Sequence, residues 1–243
     1  MSELRVILHG ANGRMGRAVD AAAVALGLSI VGRIAGPRDL TTAALAEGNV
    51  IIDFSRIDAT EELVNIAAAT GKALVIGTTG HATEDRNRLT LLARSIPTVW
   101  AGNFSIGVNL LYALTRRATS ALGADFDVEI VESHHRQKKD APSDTAARLV
   151  DIICAERTIG PEALRFGRSG TTGERTRSEI GVHSLRGGDV VGEHTVVYSG
   201  PGERVELTHK ATDRAIFARG ALRAANGSWR SHQGFTTCKM FLG

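Results

Sequence analysis

The stretch Leu4–Arg17, L-R-V-I-L-H-G-A-N-G-R-M-G-R, decides how the chain is read. Leu4–Leu8 is an apolar run of strand length, after which Met15, Val19, Ala22, Ala23 and Leu26 recur on one helical face. Between them lie Gly10, Gly13 and Gly16 in a G-x-x-G-x-x-G spacing. Glycine permits a tight turn and lets backbone amides approach a pyrophosphate at the N-terminus of the helix. A second strand over Leu28–Ala35 completes a strand–loop–helix–strand unit. The spacing is looser than G-x-G-x-x-G, and a plain structural turn uses the same residues. The flanking strand and helix are what favour a dinucleotide.

Moving outward, the α/β rhythm continues. Strands are expected over Val50–Phe54, Ala73–Ile76 and Thr98–Ala101, with helices through Leu63 and Ile66 and over Arg86–Arg94. Three small-residue loops, Asp53–Ser55, Gly77–Gly80 and Gly102–Ser105, follow these strands. The alternation predicts a doubly wound, Rossmann-type parallel sheet with ligands at the carboxyl ends of its strands. NAD-binding folds place an acid at the end of the second strand. This chain has Gly36-Pro37-Arg38 there, with Arg33 close by and Arg14 in the glycine loop, which favours NADPH, with NADH possible.

A helix over Val108–Leu122 leads out of this unit, and a strand follows at Phe126, Val128, Ile130 and Val131. Next comes Glu132–Ala146, E-S-H-H-R-Q-K-K-D-A-P-S-D-T-A, on a strand-to-helix connection. Imidazole trades protons near neutrality, lysine supplies a fixed charge or an acid, and Ser143 and Thr145 flank a helix start whose amides can take a carboxylate. These parts suffice to grip an anion and hand it a proton. A solvated basic loop before an ordinary N-cap would look the same.

The remainder reads as a long loop over Gly160–Gly173, then strands at Ile180–Leu185, Val190–Val197 and Val205–His209. A last helix, Asp213–Ala225, is expected back on the first sheet, with Lys210 and Arg214 at the junction or paired with Asp213. The expected domains are 1–105 plus 214–243, and 106–213, the second a smaller α+β domain with an open mixed sheet. Such a sheet mates readily with copies of itself.

The 243 residues are 43% hydrophobic and 23% charged, ordinary for a soluble globular protein, with a net charge of +3. The basic residues are scattered and aromatics make up 5%, so nucleic acid is not expected as a partner. Cys154 and Cys238 form no metal or redox pattern, and no metal is expected. No apolar run approaches the roughly 20 residues that span a bilayer, and no signal-peptide core follows Met1. A cytoplasmic protein without membrane association is the expectation.

Taken together in order, these segments resemble the 4-hydroxy-tetrahydrodipicolinate (dihydrodipicolinate) reductase family of lysine biosynthesis, over nearly the whole chain. The matching segments are Gly10–Arg17, Ile52–Ser55, Gly77–Gly80, Asn103–Asn109, Glu132–Ser143, Gly167–Glu174, Gly192–Thr195 and His209–Ala211. The resemblance implies an NAD(P)H-dependent oxidoreductase that adds hydride to a carbon–nitrogen double bond of a cyclic dicarboxylate, assembled as a homotetramer. It also implies site roles. Gly10, Ala11, Asn12, Gly13, Arg14 and Met15 would hold the pyrophosphate, with Arg14 near the 2′-phosphate. Gly77, Thr78 and Thr79, and Gly102, Asn103, Phe104 and Ser105, would frame the nicotinamide ribose. His134 and Lys138 would donate protons. His135 would bind the substrate and the amides at Asp144 and Thr145 would take a carboxylate; Ser143 at the helix start and Arg214 at the junction are further substrate-binding candidates.

Three departures stand out. Asp144 occupies the place of the family's glycine in Pro-Ser-Gly-Thr, adding a like charge beside an anion or simply favouring the helix start. The tail segments Asn226–Trp229 and Gly234–Thr236 are altered, and the acid expected near Gly36 is missing. Two alternatives follow: a paralogue with the same hydride-to-imine chemistry on another substrate, and a catalytically weakened nucleotide-binding protein.

Overall fold

The structure, a computed structural model, describes residues 3–36 and 39–230. Arg38, Cys238 and the altered tail segment 234–236 lie outside the described residues. The chain divides into two compact units, one of Met1–Ile106 with Arg214–Gly243 and one of Gly107–Asp213.

The first unit is a five-stranded sheet in the order β2-β1-β3-β4-β5, parallel throughout. Its strands are β1 (Arg5–His9), β2 (Ser29–Ile34), β3 (Val50–Asp53), β4 (Ala73–Ile76) and β5 (Thr98–Trp100). The central strands β3 and β4 are buried at every residue because both faces are covered. Alternate residues of β1 feed different cores. Val6 and Leu8 pack with α1 (Arg14–Ala25) and α6 (Ala215–Arg230), whereas Ile7 packs with α2 (Ile57–Thr70) and α3 (Thr83–Leu92). This is the doubly wound Rossmann-type arrangement that the sequence predicts.

The last helix does cover the first sheet: Ala218, Ala221, Leu222 and Ala225 are fully buried there. Gly220 makes the close approach possible, because a Cβ at that position would collide with the carbonyl oxygen of Phe104.

The second unit opens with α4 (Ile106–Leu122), most of which belongs to it, and contains α5 (Asp144–Arg157). Its strands are β6 (Asp127–His134), β7 (Leu164–Phe166), β8 (Ile180–Arg186), β9 (Gly192–Gly200) and β10 (Glu203–Ala211). They form a mixed sheet, β10-β9-β6-β8-β7, antiparallel across β10-β9-β6 and parallel across β6-β8-β7. Along β6 buried and half-buried residues alternate strictly, the mark of a sheet covered on one face. Val128, Ile130, Ile180, Val182, Val196 and Tyr198 meet Leu149, Val150 and Ile153 of α5 on that face. The segment 160–173, expected to be loop throughout, contains β7. Three residues are too few to show a period in the sequence.

Candidate functional site

In the first unit, Gly10 takes a positive φ of 80° at the end of β1, and a Cβ there would lie 2.5 Å from the Phe54 carbonyl oxygen. A Cβ on Gly16 would strike the Gly10 carbonyl. The glycines therefore let helix α1 start hard against the β1 and β3 ends. Helix α1 is capped by Gly13, with no side-chain cap and no acid in its first turn. Its first amides and the positive end of its dipole are left to a ligand, and an anion suits them.

A cavity of about 800 Å³ opens at this point, lined by Gly13–Met15, 54–58 and Gly77–Thr79. Asp53, fully buried, organises its floor. It accepts from the Thr78 hydroxyl at 2.7 Å and from the Ser55 amide at 3.1 Å. His9 Nδ1 lies 3.0 Å from the same carboxylate, off the hydrogen-bond direction. The volume and the anion-seeking rim fit a pyridine dinucleotide. Gly10–Met15 and Gly77–Thr79 are thus brought together on one edge of the sheet. Gly102–Ser105 follow β5 on the same sheet. Phe104 is a core residue, edge-on to Phe54 with ring centroids 5.9 Å apart. Arg14 is exposed in the glycine loop, whereas Arg33 forms an ion pair with Asp20. Of these two arginines, both expected to favour a 2′-phosphate, Arg33 is already offset by the Asp20 carboxylate.

In the second unit, β6 delivers Glu132 and His134 to the covered face, two residues apart and so pointing the same way. Glu132 is fully buried. Its carboxylate lies 2.5 Å from His134 Nδ1, accepts from both terminal nitrogens of Arg186 at 2.8 Å each, and accepts from the Ser143 amide at 3.2 Å. Burial pushes Glu132 up, but hydrogen bonds from Arg186, Ser184 and His134 outweigh it and hold the carboxyl at about 2. For His134, burial is the largest influence and lowers its pKa, with Glu132 opposing.

Ser143 caps α5, its hydroxyl accepting from the Ala146 amide at 3.2 Å and meeting His194 Nε2 at 2.9 Å. The His134 and His194 rings meet edge to face, 5.1 Å between centroids. Burial, then the neighbouring His134, holds His194 down to about 3. Lys138 reaches Asp140 at 2.6 Å, and Arg186 also donates to the Asp140 carbonyl, which ties down the polar loop. His135 is half-buried, with a buried Nδ1 that makes no hydrogen bond. Asp144 is exposed and Thr145 buried in the first turn of α5. His134, Ser143, Thr145 and Lys138 therefore gather around the end of β6 and the start of α5. Arg214 is exposed and belongs to the other unit. Among the described residues, no cluster of His, Cys, Asp and Glu could hold a metal ion, and no helix is long and apolar enough to cross a membrane.

Comparison with known proteins decides the family. The model for the N-terminal part of dihydrodipicolinate reductase matches residues 4–104, and that for its C-terminal part matches 107–242. The chain belongs to the dihydrodipicolinate reductase family. It is 45% identical over 241 residues to the 4-hydroxy-tetrahydrodipicolinate reductase of Akkermansia muciniphila, covering 99% of this chain and 98% of that one. It is 43% identical to that of Myxococcus xanthus over 91% of each. Among solved structures, dipicolinate-bound dihydrodipicolinate reductase from Paenisporosarcina sp. TG-14 superposes with a TM-score of 0.75 at 22% identity, over 97% of this chain and 98% of that one. That likeness speaks for the fold.

Sequence reasoning did not single out Glu132, Arg186 or His194 as site residues, nor Arg56–Asp58 as cavity lining. Glu132 carried a signal, being two residues before His134 on an alternating strand. Arg186 and His194 come from strands 50 or more positions away, and only the β8-β6-β9 pairing brings them in.

Proposed function

We propose that this chain is the NAD(P)H-dependent reductase that converts 4-hydroxy-tetrahydrodipicolinate to tetrahydrodipicolinate in lysine biosynthesis. The single observation that carries the reading is the family match across both units, joined to a buried, carboxylate-backed histidine beside a helix N-terminus. Reduced nicotinamide, bound against the glycine loop, supplies hydride for the carbon–nitrogen double bond.

The chain's own residues do the rest. Gly10–Met15 would receive the pyrophosphate on the first turn of α1, and Gly77–Thr79 and Gly102–Ser105 would frame the nicotinamide ribose. Arg14 would meet the 2′-phosphate, which makes NADPH the preferred form; its exposed position in the glycine loop supports that choice, and with Arg33 engaged by Asp20 the preference rests on Arg14. The amides at 144 and 145 take one substrate carboxylate at the positive end of α5, and His135 adds a polar contact. His134, backed by Glu132, and Lys138 hold the protons that nitrogen protonation and loss of the hydroxyl group require.

The protein works in the cytoplasm, where the reduced nicotinamide pool lies, as a homotetramer whose subunits pair through the outer face of the second sheet. The one-sided burial of β6 supports that pairing. Titration of pyridine-2,6-dicarboxylate, a planar dicarboxylate, into NADPH-loaded protein tests the assignment. Amide and imidazole signals of His134, His135 and residues 143–145 should shift with the dicarboxylate, and those of Gly10–Met15 with NADPH. A dicarboxylate that leaves the second unit's signals unmoved contradicts it.

A further inference from the structure

A histidine that passes a proton must offer the right ring nitrogen, and the unused nitrogen is what fixes that choice. In this protein His134 Nδ1 faces a carboxylate oxygen of Glu132 at 2.5 Å, while Nε2 makes no hydrogen bond among the described residues. Glu132 cannot turn away. It is fully buried, and its two oxygens are held by the Arg186 guanidinium and the Ser143 amide. Room at Nε2 is preserved by glycine, since a Cβ on Gly192 would lie 3.0 Å from that atom.

We propose that Glu132 is the positioning residue of the proton donor: it holds His134 as the Nδ1–H tautomer and reserves Nε2 for the proton that is given away. The proposal rests on the reading of His134 as proton donor given above. When Nε2 releases its proton, the Nδ1–H bond to Glu132 stays intact and the ring returns to the neutral form that Glu132 selects. Arg186 is part of the device. Its bidentate pair neutralises the buried carboxylate, so that protonated His134 is not drawn into a salt bridge strong enough to keep its proton. The charged and titratable groups around the ring are Glu132 on β6, Lys138 in the loop, Arg186 on β8 and His194 on β9. Of these, only Glu132 can accept from Nδ1 at the observed distance.

The experiment is nitrogen and carbon NMR of protein labelled at histidine, at a pH where His134 is neutral, with turnover measured in parallel. Wild type is expected to show the Nδ1–H tautomer at His134, and an Nε2–H or evenly mixed ring overturns the proposal. Glu132→Leu removes the acceptor at similar volume. The tautomer should then shift toward Nε2–H, and kcat should fall on the order of 10²-fold, within the range of acid–base catalysis, with NADPH affinity unchanged. A Glu132→Leu protein that keeps both tautomer and kcat also overturns it. The wild-type spectrum decides alone if that variant does not fold. His134→Gln separates the two layers: undiminished turnover in that variant removes the proton-donor reading, whereas a wrong tautomer with inactive His134→Gln removes only the role of Glu132.

Discussion

Ser143 Oγ lies 2.9 Å from His194 Nε2, and the same oxygen caps α5 by accepting the Ala146 amide. One hydroxyl thus joins the start of the helix that carries Asp144 and Thr145 to the strand that lies beside His134. Replacing it should cost more than a cap. Ser143→Ala is expected to lose about 1–2 kcal/mol from the cap alone, with a further loss because His194 is left unpartnered in a buried site. Thermal melting should show a fall in Tm of roughly 2–8 °C, and an unchanged Tm would mean the hydroxyl holds nothing together.

The same cluster sets how stability responds to acid. In the unfolded chain His194 takes up a proton near its ordinary 6.5, while in the fold it resists down to about 3. The unfolded state binds more protons throughout that window, so stability falls as pH drops from about 6.5 toward 3. Glu132 adds a second loss: held at about 2, it contributes stability above its ordinary 4.5 that disappears between 4.5 and 2. Melting curves across pH should show stability falling through both windows, and His194→Gln should shrink the loss in the first window while leaving the second.

Glycine substitutions should separate the two units. Gly10→Ala places a Cβ 2.5 Å from the Phe54 carbonyl at a positive φ, a strain on the order of 1–3 kcal/mol. NADPH affinity should fall by roughly tenfold or more, while pyridine-2,6-dicarboxylate still perturbs His134 and residues 143–145. Calorimetric titration with each ligand reads the difference.

Much of this arrangement is legible in the sequence. The Leu4–Arg17 stretch predicts the sheet, because an apolar strand, a glycine turn and an amphipathic helix are all local signals. The return of α6 to the first sheet follows from the need of that sheet for one more covering helix. Glu132–Ala146 announced a polar site on a strand-to-helix connection. What stayed hidden depends on pairing between distant segments: Arg186 and His194 reach Glu132 and Ser143 only through strand register. Strand β7 was missed because three residues carry no periodicity. Nothing local announces the ion pair of Arg33 with Asp20, 13 positions earlier.

Asp144 is exposed at the first residue of α5, where its charge favours the helix and opposes an incoming carboxylate. Asp144→Gly should therefore tighten pyridine-2,6-dicarboxylate by about fivefold, the effect of roughly 1 kcal/mol between solvent-exposed charges near 4 Å. It should cost about 0.3–1 kcal/mol of stability. Equal affinity in the two proteins would show that the carboxylate points clear of the ligand.

Arg14 should set the nucleotide preference. Arg14→Ala is expected to raise the KM for NADPH about tenfold, in line with loss of a charge-assisted contact of 1.5–3 kcal/mol softened by exposure. The KM for NADH should be left almost unchanged. A parallel rise for both nucleotides would place the arginine on the pyrophosphate instead.

The account stands most directly on turnover itself. NADPH oxidation is followed with 4-hydroxy-tetrahydrodipicolinate generated in place by the synthase that makes it, comparing wild type with His134→Gln. Wild type should consume NADPH in step with substrate supply, and His134→Gln should bind NADPH equally well while turning over 10²- to 10⁴-fold more slowly. Folded, NADPH-bound wild type that leaves this substrate untouched would contradict the account.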